Sequence, residues 1–376
     1  MFGAAHLHTK DPFNLSDCVS ATLQSIEEWK RVMEAIIPAS VTEGVEEEEV
    51  DGGPAAQRLR EEEQKQALGL RSRALCYCVQ PKDHKKETDV YDIVTESAGR
   101  LPEWVEIPFD RRGGNCFNLL WSWSNPHKGK GVDASKLLMW QKVNRFPDSK
   151  PLTRKDCLKR NLQRYSQLPG DLGAAFDCFP ETFNLPKDYK DFLAEFSRVD
   201  EEEGDGEGGP SNNVWIMKPV GSSRGRGIFL VSDLNEVSYS ESMVVQRYIA
   251  NPLLLDGFKF DLRLYVCVAS FSPLKAYIHR KGFARYSSAP YSREKDSLSN
   301  LFVHLTNSSI NNAKSTNALS GSKQSLDDLW SALEAKGIDK APLWTRICEV
   351  VLRSLFCVVD EMGHHPNCFE LFGYDM

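Results

Sequence analysis

The sequence predicts a mixed α/β protein of about two to three domains, a number suggested by its length of 376 residues. In its second half, short apolar runs typical of strands alternate with segments whose apolar residues recur at the helical period. A hydrophobic content of 41% and a charged content of 26% are ordinary for a globular chain. Acidic and glycine-rich tracts separate these regions, and we use them as domain boundaries.

The first of these boundaries follows an acidic tract. Residues 17–37 have the apolar spacing of a helix, and the tract from Glu43 to Asp51 behind them is typical of a linker. The predicted units are an N-terminal helix with an acidic, disordered linker at 1–74, an N-terminal α/β domain at 75–165, a central domain at 166–250 with an acidic loop at 200–210, and a C-terminal domain at 251–376.

In the N-terminal α/β domain, the pattern predicts three strands and one capped helix. Strand-like runs lie at 90–94, 104–107 and 118–123. Thr153 precedes an apolar helical pattern, and Asp156 lies three residues further on, which is the spacing of a capping box. We therefore expect a helix that begins after Thr153.

The C-terminal half of the chain has the clearer pattern. Strands are predicted at 244–249 and 260–268, and the run at 275–279 is expected to pair with the second strand as a hairpin. Residues 341–360 have the composition of an apolar helix, and a further strand is predicted at 369–375.

A glycine-rich loop follows a lysine at the end of a predicted strand. The apolar run 214–217 leads into Lys218, and Pro219 stops the strand pattern. The loop at 221–227 combines three glycines with two serines and two arginines. Glycines let backbone N–H groups approach phosphate oxygens, and cations add charge-assisted hydrogen bonds. A hairpin turn with solvated arginines is the alternative, since the spacing matches neither a Walker A loop nor a Rossmann fingerprint.

Charged side chains interrupt the apolar strands of the C-terminal domain. Lys259, Asp261 and Arg263 recur at every second position, which places them on one face of a strand. Arg285 and Asp375 lie in or beside other apolar runs. Burying such charges costs several kcal/mol each unless they pair or bind ligands. A salt-bridged sheet edge and a site for a polyphosphate with its metal both meet that condition.

Composition argues against several classes of protein. The sequence contains no run of about 18 apolar residues and begins without a basic region and apolar core, so we expect neither a membrane span nor a secretory signal. Its ten cysteines form no paired Cys-x-x-Cys pattern, which argues against zinc and predicts reduced thiols. The net charge of −7 argues against general nucleic-acid binding.

One stretch departs from this acidic average. Between Lys128 and Arg164 the chain has 11 Lys and Arg against 3 Asp, a local excess of eight positive charges. A solvated helix face is one interpretation of this basic stretch, and a docking surface for an acidic partner is the other.

Seven sequence blocks recur in the order of a known family. They read Trp-Ile-Met-Lys-Pro at 215–219, Ser-Arg-Gly-Arg-Gly-Ile at 223–228, Gln-Arg-Tyr-Ile at 246–249, Lys-Phe-Asp-Leu-Arg at 259–263, Gly-Phe-Ala-Arg-Tyr at 282–286, His-Leu-Thr-Asn at 304–307 and Phe-Glu-Leu-Phe-Gly-Tyr-Asp at 369–375. Together they resemble the tubulin–tyrosine ligase-like family, and in detail its polyglutamylase branch. The resemblance covers about residues 90–376.

The resemblance implies an ATP-grasp fold, with ATP and Mg²⁺ held between central and C-terminal sheet domains, beside a smaller N-terminal α/β domain. It implies an ADP-forming carboxylate–amine ligase that joins free L-glutamate to glutamate side chains of acidic tubulin tails through an acyl phosphate. The expected partners are tubulin and microtubules, without nucleic acid or membrane. We expect a monomer in the cytoplasm and on the microtubule cytoskeleton, including the cilium or basal body.

Two alternatives to this activity stay open. One is a catalytically dead protein that binds tubulin through the basic stretch. The other is a related ligase that adds glycine or tyrosine, because the residues near Arg285 do not settle which amino acid is bound.

The resemblance also assigns roles to individual residues. Arg263 is implied to steady the phosphoryl group, and Arg285 to meet the carboxylate of the glutamate substrate. The implied nucleotide-contacting residues are Lys218, Arg224, Gly225, Gln246, Arg247, Tyr248, Ile249, Lys259, Phe260, Asp261, Thr306 and Asn307. The implied substrate residues are Arg285, Ser309 and Lys323, and the implied Mg²⁺ ligand is Asp375. After Lys323 this sequence has Gln324, where the family usually has Trp.

The largest departure from the family is at the end of the sequence. In the family a Leu-Glu-Val-Asn strand with two further metal ligands follows the Gly-Tyr-Asp strand, whereas this sequence stops at Met376. We therefore expect an incomplete C-terminal domain and a weaker metal site.

Overall fold

The computed structural model describes residues 63, 66, 74–80, 88–107, 117–128, 132, 137–138, 140–203, 213–223, 225–239, 241–311 and 323–376. The helix predicted at 17–37, the acidic tract behind it and most of the acidic loop at 200–210 lie outside these residues. None of the described helices combines the length and the apolar character needed to cross a bilayer.

The predicted mixed α/β class is confirmed. The described helices are α1 Thr88–Gly99, α2 Lys150–Thr153, α3 Lys155–Ser166, α4 Asp171–Phe176, α5 Tyr189–Glu203, α6 Leu301–His304, α7 Leu326–Ala335, α8 Lys340–Phe356 and α9 Val359–Met362. The described strands are β1 Leu75–Gln80, β2 Trp104–Glu106, β3 Leu119–Ser122, β4 Lys142–Val143, β5 Thr182–Leu185, β6 Trp215–Pro219, β7 Phe229–Val231, β8 Met243–Arg247, β9 Leu254–Leu255, β10 Phe258–Phe271, β11 Leu274–Ile278, β12 Phe283–Tyr286, β13 Lys323–Ser325 and β14 Glu370–Asp375.

These strands form three sheets. The N-terminal sheet is parallel, with the order β2-β1-β3-β4. The central sheet is antiparallel, with the order β5-β8-β6-β7. The C-terminal sheet is antiparallel and is built around β10, which pairs with β11 and β12 along one side and with β14 and β9 along the other.

Strand β10 has the predicted alternation. Leu262, Leu264 and Val266 are buried, whereas Asp261 and Arg263 are half-buried on the other face. The predicted hairpin with β11 and the predicted strand β14 are both present. Because side chains alternate between the two faces of a strand, the charged residues of β10 lie on one face of the C-terminal sheet.

Two sequence predictions in the N-terminal half are wrong. The run 90–94 lies within helix α1 instead of a strand. Val94 and Ala98, one helical turn apart, pack against Tyr77 and Val79 of β1, while Ile93 is 64% exposed. This i, i+4 packing outweighs the strand preference of the β-branched residues.

The predicted capping box is also absent. Helix α2 ends at Thr153, and the Thr153 hydroxyl donates to the Ser149 carbonyl at 2.8 Å. Helix α3 starts at Lys155, and Asp156 accepts two hydrogen bonds from Arg154 at 3.0 and 2.9 Å. Thr153 is the last residue of α2, and Arg154 occupies the N-cap position of α3. Thr153 therefore cannot cap the first turn of α3.

Helix α3 is held against the C-terminal sheet. Its apolar face, with Leu162 and Tyr165, shares one core with Val266 and Val268 of β10 and with Val351 of α8. Because α3 is anchored in that core, Lys155 and Lys159, which lie near Leu162 on the helix surface, are positioned beside the central sheet.

A buried ion pair joins Arg145, which follows β4, to β14. Glu370 is 2% exposed, receives Arg145 Nη1 at 2.9 Å, and accepts the Phe146 backbone N–H at 3.2 Å. These bonds fix β14, which carries Asp375 at its other end, relative to the N-terminal sheet.

Candidate functional site

A cleft of about 410 Å³ lies between helix α3, the central sheet and the end of β14. Polar and charged side chains from all three elements reach it, together with one exposed apolar side chain. The lining residues used below are Lys155, Lys159, Lys218, Gln246, Ile249 and Asp375. Lysines from the central sheet and from helix α3 therefore converge with a carboxylate of the C-terminal sheet on one concave surface.

Lys218 lies near the end of β6 and faces the cleft. Its ammonium donates to Gln246 Oε1 at 2.7 Å, and Gln246 Nε2 donates to the Thr182 hydroxyl at 2.9 Å. Burial and, to a lesser extent, the nearby Lys155 charge together lower the pKa of Lys218 to about 8. The partner of this lysine is thus a neutral amide, so its charge is not compensated.

Lys259 is the corresponding lysine of the C-terminal sheet. Its ammonium donates to the Tyr248 hydroxyl at 2.8 Å. Burial is the main cause that lowers the pKa of Lys259, Asp261 opposes it and the Lys218 charge adds to it, and the net pKa is about 8. Because the Lys218 charge contributes to the lowered pKa of Lys259, the two ammonium groups lie near enough to interact, one from the central sheet and one from the C-terminal sheet.

Arginines and carboxylates form a closed network on β10, β12 and β14. Arg285 Nε donates to Asp261 Oδ1 at 2.8 Å, its Nη2 forms a second bond to Asp261, and the same nitrogen lies 2.9 Å from Asp375 Oδ2. Arg263 donates to Asp375 at 2.5 and 3.1 Å. Burial lowers the pKa of Arg285, but its bonds to Asp261 outweigh that effect, so the net shift is upward. The sheet is therefore salt-bridged, as one interpretation of its charges predicted.

Strand register explains how these charges meet. Asp261 pairs with Arg285 across β10 and β12, and Arg263 pairs with Asp375 across β10 and β14. Gly373 lies beneath the Arg263 guanidinium, where an added Cβ would stand 3.3 Å from Nη1. A larger residue there would displace the arginine.

The glycine-rich loop after β6 is held at its start by Lys155 and is closely packed at Gly225. Lys155 Nζ donates to the carbonyls of Ser222 at 2.7 Å and Pro219 at 3.1 Å. Gly225 has φ +76°, and an added Cβ would stand 2.5 Å from Ile310 and 3.1 Å from Asn307 Oδ1. Glycine is therefore required at 225 both for its conformation and for its space.

The nucleotide residues expected on β8 and just after it separate into two faces. Ile249 is 58% exposed and lines the cleft beside Gln246. The side chain of Arg247 points to the other face of the central sheet, where it lies 2.8 Å from Glu195 and stacks on Trp215 at 4.8 Å. A contact between Arg247 and the nucleotide would therefore involve its backbone.

The other predicted residues surround this region at different depths. Thr306 is buried, Asn307 is partly buried beside Gly225, and Ser309 is exposed. Phe260 packs against Tyr286, with ring centroids 5.7 Å apart.

Two predicted residues remain. Lys323 pairs in register with Arg285 and holds its ammonium 5.4 Å from the centre of the Phe283 ring. Arg224 lies outside the described residues.

The sequence profile of the Tubulin-tyrosine ligase family matches residues 133–376. This segment contains the cleft, both lysines and the whole arginine–carboxylate network. The chain belongs to the tubulin-tyrosine ligase family. The arrangement of several sheets and helices is consistent with the ATP-grasp-like fold that the resemblance implied.

Named relatives within this family are polyglutamylases. The chain is 33% identical over 279 residues to the human "Probable tubulin polyglutamylase TTLL2", covering 73% of this chain and 45% of that protein. It is 36% identical to the mouse "Tubulin polyglutamylase TTLL5" over 69% of this chain and 20% of the relative. It is also 36% identical to the mouse "Tubulin polyglutamylase TTLL6" over 63% and 29%. The chain therefore spans less than half the length of these relatives.

Lys155 is the residue of this family member's cleft that sequence reasoning missed. It appeared only as one cation of the basic stretch and as the start of a helix. The structure shows that it anchors the glycine-rich loop, lines the cleft, and has a pKa lowered by burial. No local pattern could reveal this, because the partners of Lys155 lie more than sixty residues away.

Cations of the basic stretch hold internal partners. Lys142 donates to the Pro366 carbonyl at 2.5 Å, and Lys159 lies 2.6 Å from Asp188. Others, described above, bind carbonyls of the loop or the buried Glu370. These four side chains therefore connect parts of the fold, whereas Lys150, Arg160 and Arg164 are exposed, so a docking surface for an acidic partner stays a prediction.

The carboxylates near the cleft suit a metal only together with a nucleotide. The described residues contain no group of three or more His, Cys, Asp or Glu side chains able to hold a metal ion. Mg²⁺, however, is usually held by one or two carboxylates, phosphate oxygens and water. Asp375, at the mouth of the cleft, and Asp261, joined to it through Arg285, are oxygen donors of that kind.

Proposed function

We propose that this chain is an ATP-dependent, ADP-forming ligase that adds glutamate to glutamate side chains of tubulin tails. The observation that carries the proposal is the meeting of Lys218 and Lys259, whose hydrogen-bond partners at the site are neutral, next to a network of arginines and carboxylates. Membership of the tubulin-tyrosine ligase family and the printed names of its polyglutamylase relatives support the choice of tubulin and glutamate.

The reaction needs charge neutralisation more than a nucleophilic side chain. A carboxylate is a poor electrophile, so the γ-phosphoryl group of ATP is first transferred to the acceptor glutamate, which gives an acyl phosphate and ADP. The amine of free glutamate then attacks the acyl carbon, an amide bond forms, phosphate leaves, and the amine loses a proton. Positioning and electrostatic stabilisation supply most of the rate enhancement in such transfers.

The lysines are suited to the phosphates. Lys218 and Lys259 are already desolvated and donate to neutral acceptors, so each can donate to a phosphate as well without breaking an ion pair. Ile249 adds an exposed apolar surface for the base. Lys155 keeps the glycine-rich loop in place over this site.

The arginines are suited to the reacting groups. In this proposal Arg263 steadies the transferred phosphoryl group and Arg285 meets the carboxylate of the incoming glutamate, with Lys323 beside it. Mg²⁺ bound by Asp375 and the phosphates would supply charge neutralisation. Engagement of Asp375 by the metal would release the arginines from their shared carboxylate.

An incorporation assay tests the proposal. The chain is incubated with microtubules, ATP, Mg²⁺ and labelled glutamate, beside Lys218→Ala and the exposed control Lys336→Ala. We expect label on tubulin with the wild type and the control, and none with Lys218→Ala. Absence of incorporation while the chain still pellets with microtubules would instead support a catalytically dead tubulin-binding protein.

Amino-acid choice is tested in the same assay. Labelled glycine or tyrosine replaces labelled glutamate, and we expect glutamate to be preferred. Preferential transfer of either competitor would replace the glutamate ligase with a related glycine or tyrosine ligase. Because the substrate is a tubulin tail, the proposal also locates the activity on the microtubule cytoskeleton.

A further inference from the structure

Three side chains form a line of hydrogen bonds behind the site. The Lys259 ammonium donates to the Tyr248 hydroxyl oxygen at 2.8 Å, and that hydroxyl lies 3.0 Å from His304 Nδ1. On the far side of the imidazole, His304 Nε2 lies 3.1 Å from the Ser297 carbonyl oxygen. His304 is 1% exposed and Tyr248 is 7% exposed, so these bonds are shielded from water.

The chemistry of the two ends sets the direction of every bond in the line. An ammonium can only donate, and a backbone carbonyl can only accept. The proton of the imidazole therefore lies on His304 Nε2, where it is donated to Ser297. His304 Nδ1 then accepts from the Tyr248 hydroxyl, and the lone pairs of Tyr248 remain for Lys259.

The surroundings keep the imidazole neutral and in one orientation. Burial is the main cause that lowers the pKa of His304, the bond to Ser297 opposes it and the Lys259 charge adds to it, and the net pKa is about 4. The ring packs edge-on against Tyr248 and Tyr291, with centroids 5.5 and 5.8 Å away. The Tyr291 hydroxyl donates to the Ala250 carbonyl at 2.7 Å, so its oxygen is a second acceptor beside the Tyr248 hydroxyl, in addition to His304 Nδ1.

We propose that Tyr248 and His304 are positioning residues that hold the Lys259 ammonium where a nucleotide phosphate binds. The inference rests on the proposed function, in which Lys259 contacts ATP. A neutral hydroxyl fixes the location of the ammonium without neutralising its charge, whereas a carboxylate in the same place would compete with the phosphate. Asp261, the acid nearest in sequence, is occupied by Arg285.

Three variants separate this role from simple packing. Tyr248→Phe removes the hydroxyl and keeps the ring. His304→Leu removes the Nδ1 acceptor for that hydroxyl. His304→Asn restores an acceptor, because Asn Oδ1 is separated from the backbone by the same number of bonds as His Nδ1. The matched controls are Tyr165→Phe, at a buried tyrosine that donates to Asp360, and His364→Gln, at an exposed histidine bound to the Ser272 carbonyl.

The first readout needs no nucleotide. NMR of the chain with ¹³C-labelled lysine, with the Lys259 signal assigned through Lys259→Arg, gives the pKa of Lys259 in each variant. A hydrogen bond from an ammonium to an acceptor favours the charged form. We therefore expect the pKa of Lys259 to fall in Tyr248→Phe and, by less, in His304→Leu. His304→Asn and both controls should match the wild type.

The second readout is the affinity for Mg²⁺ with a non-hydrolysable ATP analogue. We expect a loss of about fivefold in Tyr248→Phe and His304→Leu, the effect of one hydrogen bond, and recovery in His304→Asn. An unchanged Lys259 pKa in Tyr248→Phe and His304→Leu would overturn the proposal, as would equal affinity losses in both His304 variants. A wild type that binds no nucleotide would reject the proposed function, while the Lys259 pKa would still decide whether the line of hydrogen bonds exists.

Discussion

The candidate site, which consists of the cleft with Lys259 and the arginine–carboxylate network beside it, has two poles that stabilise cations in different ways. At the lysine pole, Lys155, Lys218 and Lys259 donate to backbone carbonyls, an amide and a hydroxyl, all of them neutral. At the arginine pole, Arg263 and Arg285 are bound to carboxylates. The lysine charges therefore remain available to an anion, whereas the arginines must exchange an existing partner before they can bind one.

Because of this difference, substitutions at the two poles should affect different properties: ligand affinity at one pole and stability of the fold at the other. A desolvated cation without a counter-ion lowers the stability of the fold and favours anion binding. Removing one partner of a buried ion pair destabilises the fold, because the other charge is left buried and unpaired. Substitutions at the lysine pole should therefore weaken ligand binding and leave the fold intact. Substitutions at the arginine pole should weaken the fold itself.

The largest expected effect is on stability at the arginine pole. Arg285→Met leaves Asp261 partly buried without its main partner, and we expect the free energy of unfolding to fall by about 3 kcal/mol. Urea denaturation measures it. Lys336→Met, which breaks an exposed pair with Asp256, should cost less than about 1 kcal/mol. Equal costs for the two variants would remove the distinction between the poles.

The next effect is on affinity at the lysine pole. Lys218→Met should weaken binding of Mg²⁺ with a non-hydrolysable ATP analogue by about 100-fold, the value of a charge-assisted hydrogen bond in a desolvated site. The same variant should be at least as stable as the wild type, because a buried charge is removed. Isothermal titration and denaturation measure the two quantities. A destabilised variant with unchanged affinity would contradict the comparison.

The pH dependence of affinity tests whether the charges of the two lysines bind the nucleotide. Burial lowers the pKa of Lys218 and Lys259 to about 8 from an ordinary value of 10.5. Affinity for the ATP analogue should fall as the pH rises through about 8, by about tenfold per lysine between pH 7 and pH 9.

The stability of the fold should change with pH in the opposite direction: it should increase as the pH rises. Because the folded chain disfavours the ammonium, the penalty is fully present below pH 8 and is relieved between pH 8 and pH 10.5. The stability difference between the wild type and Lys218→Met should therefore shrink in that interval. A difference that stays constant with pH would show that Lys218 is not desolvated.

The smallest expected effect concerns the carboxylate shared by the arginines. Asp375→Asn weakens the hold on Arg263 and Arg285. If Arg285 binds the amino-acid substrate, free glutamate should bind this variant about fivefold more tightly than the wild type in the absence of metal and nucleotide. Equilibrium dialysis with labelled glutamate measures it, and Asp256→Asn is the exposed control. Unchanged or weaker glutamate binding would show that Asp375 does not restrain the arginine.

Sequence reasoning succeeded where a short period or a motif sets the structure. The alternation along β10 placed Asp261 and Arg263 on one face, and strand pairing then brought Arg285 and Asp375 to the same place. The glycine-rich loop was recognised from residue types alone, and Gly225 has the positive φ and the close contacts that only glycine tolerates.

The failures share a physical cause, which is tertiary contact. The run at 90–94 became a helix because Val94 packs on β1, a contact distant in sequence. Lys155 belongs to the cleft because of carbonyls beyond β6, and Arg247 turns away from it toward Glu195. The pairing of Arg285 with two carboxylates was likewise invisible, because a list of charged strand residues does not show which of them meet.

The most direct test of the two-pole account is a crystal structure of the chain with Mg²⁺ and a non-hydrolysable ATP analogue. The account predicts phosphate oxygens within hydrogen-bond distance of Lys218 Nζ and Lys259 Nζ, with the nucleotide between the central and C-terminal sheets. A nucleotide bound elsewhere, while Lys218 still donates to Gln246 and Lys259 to Tyr248 as they do here, would contradict it.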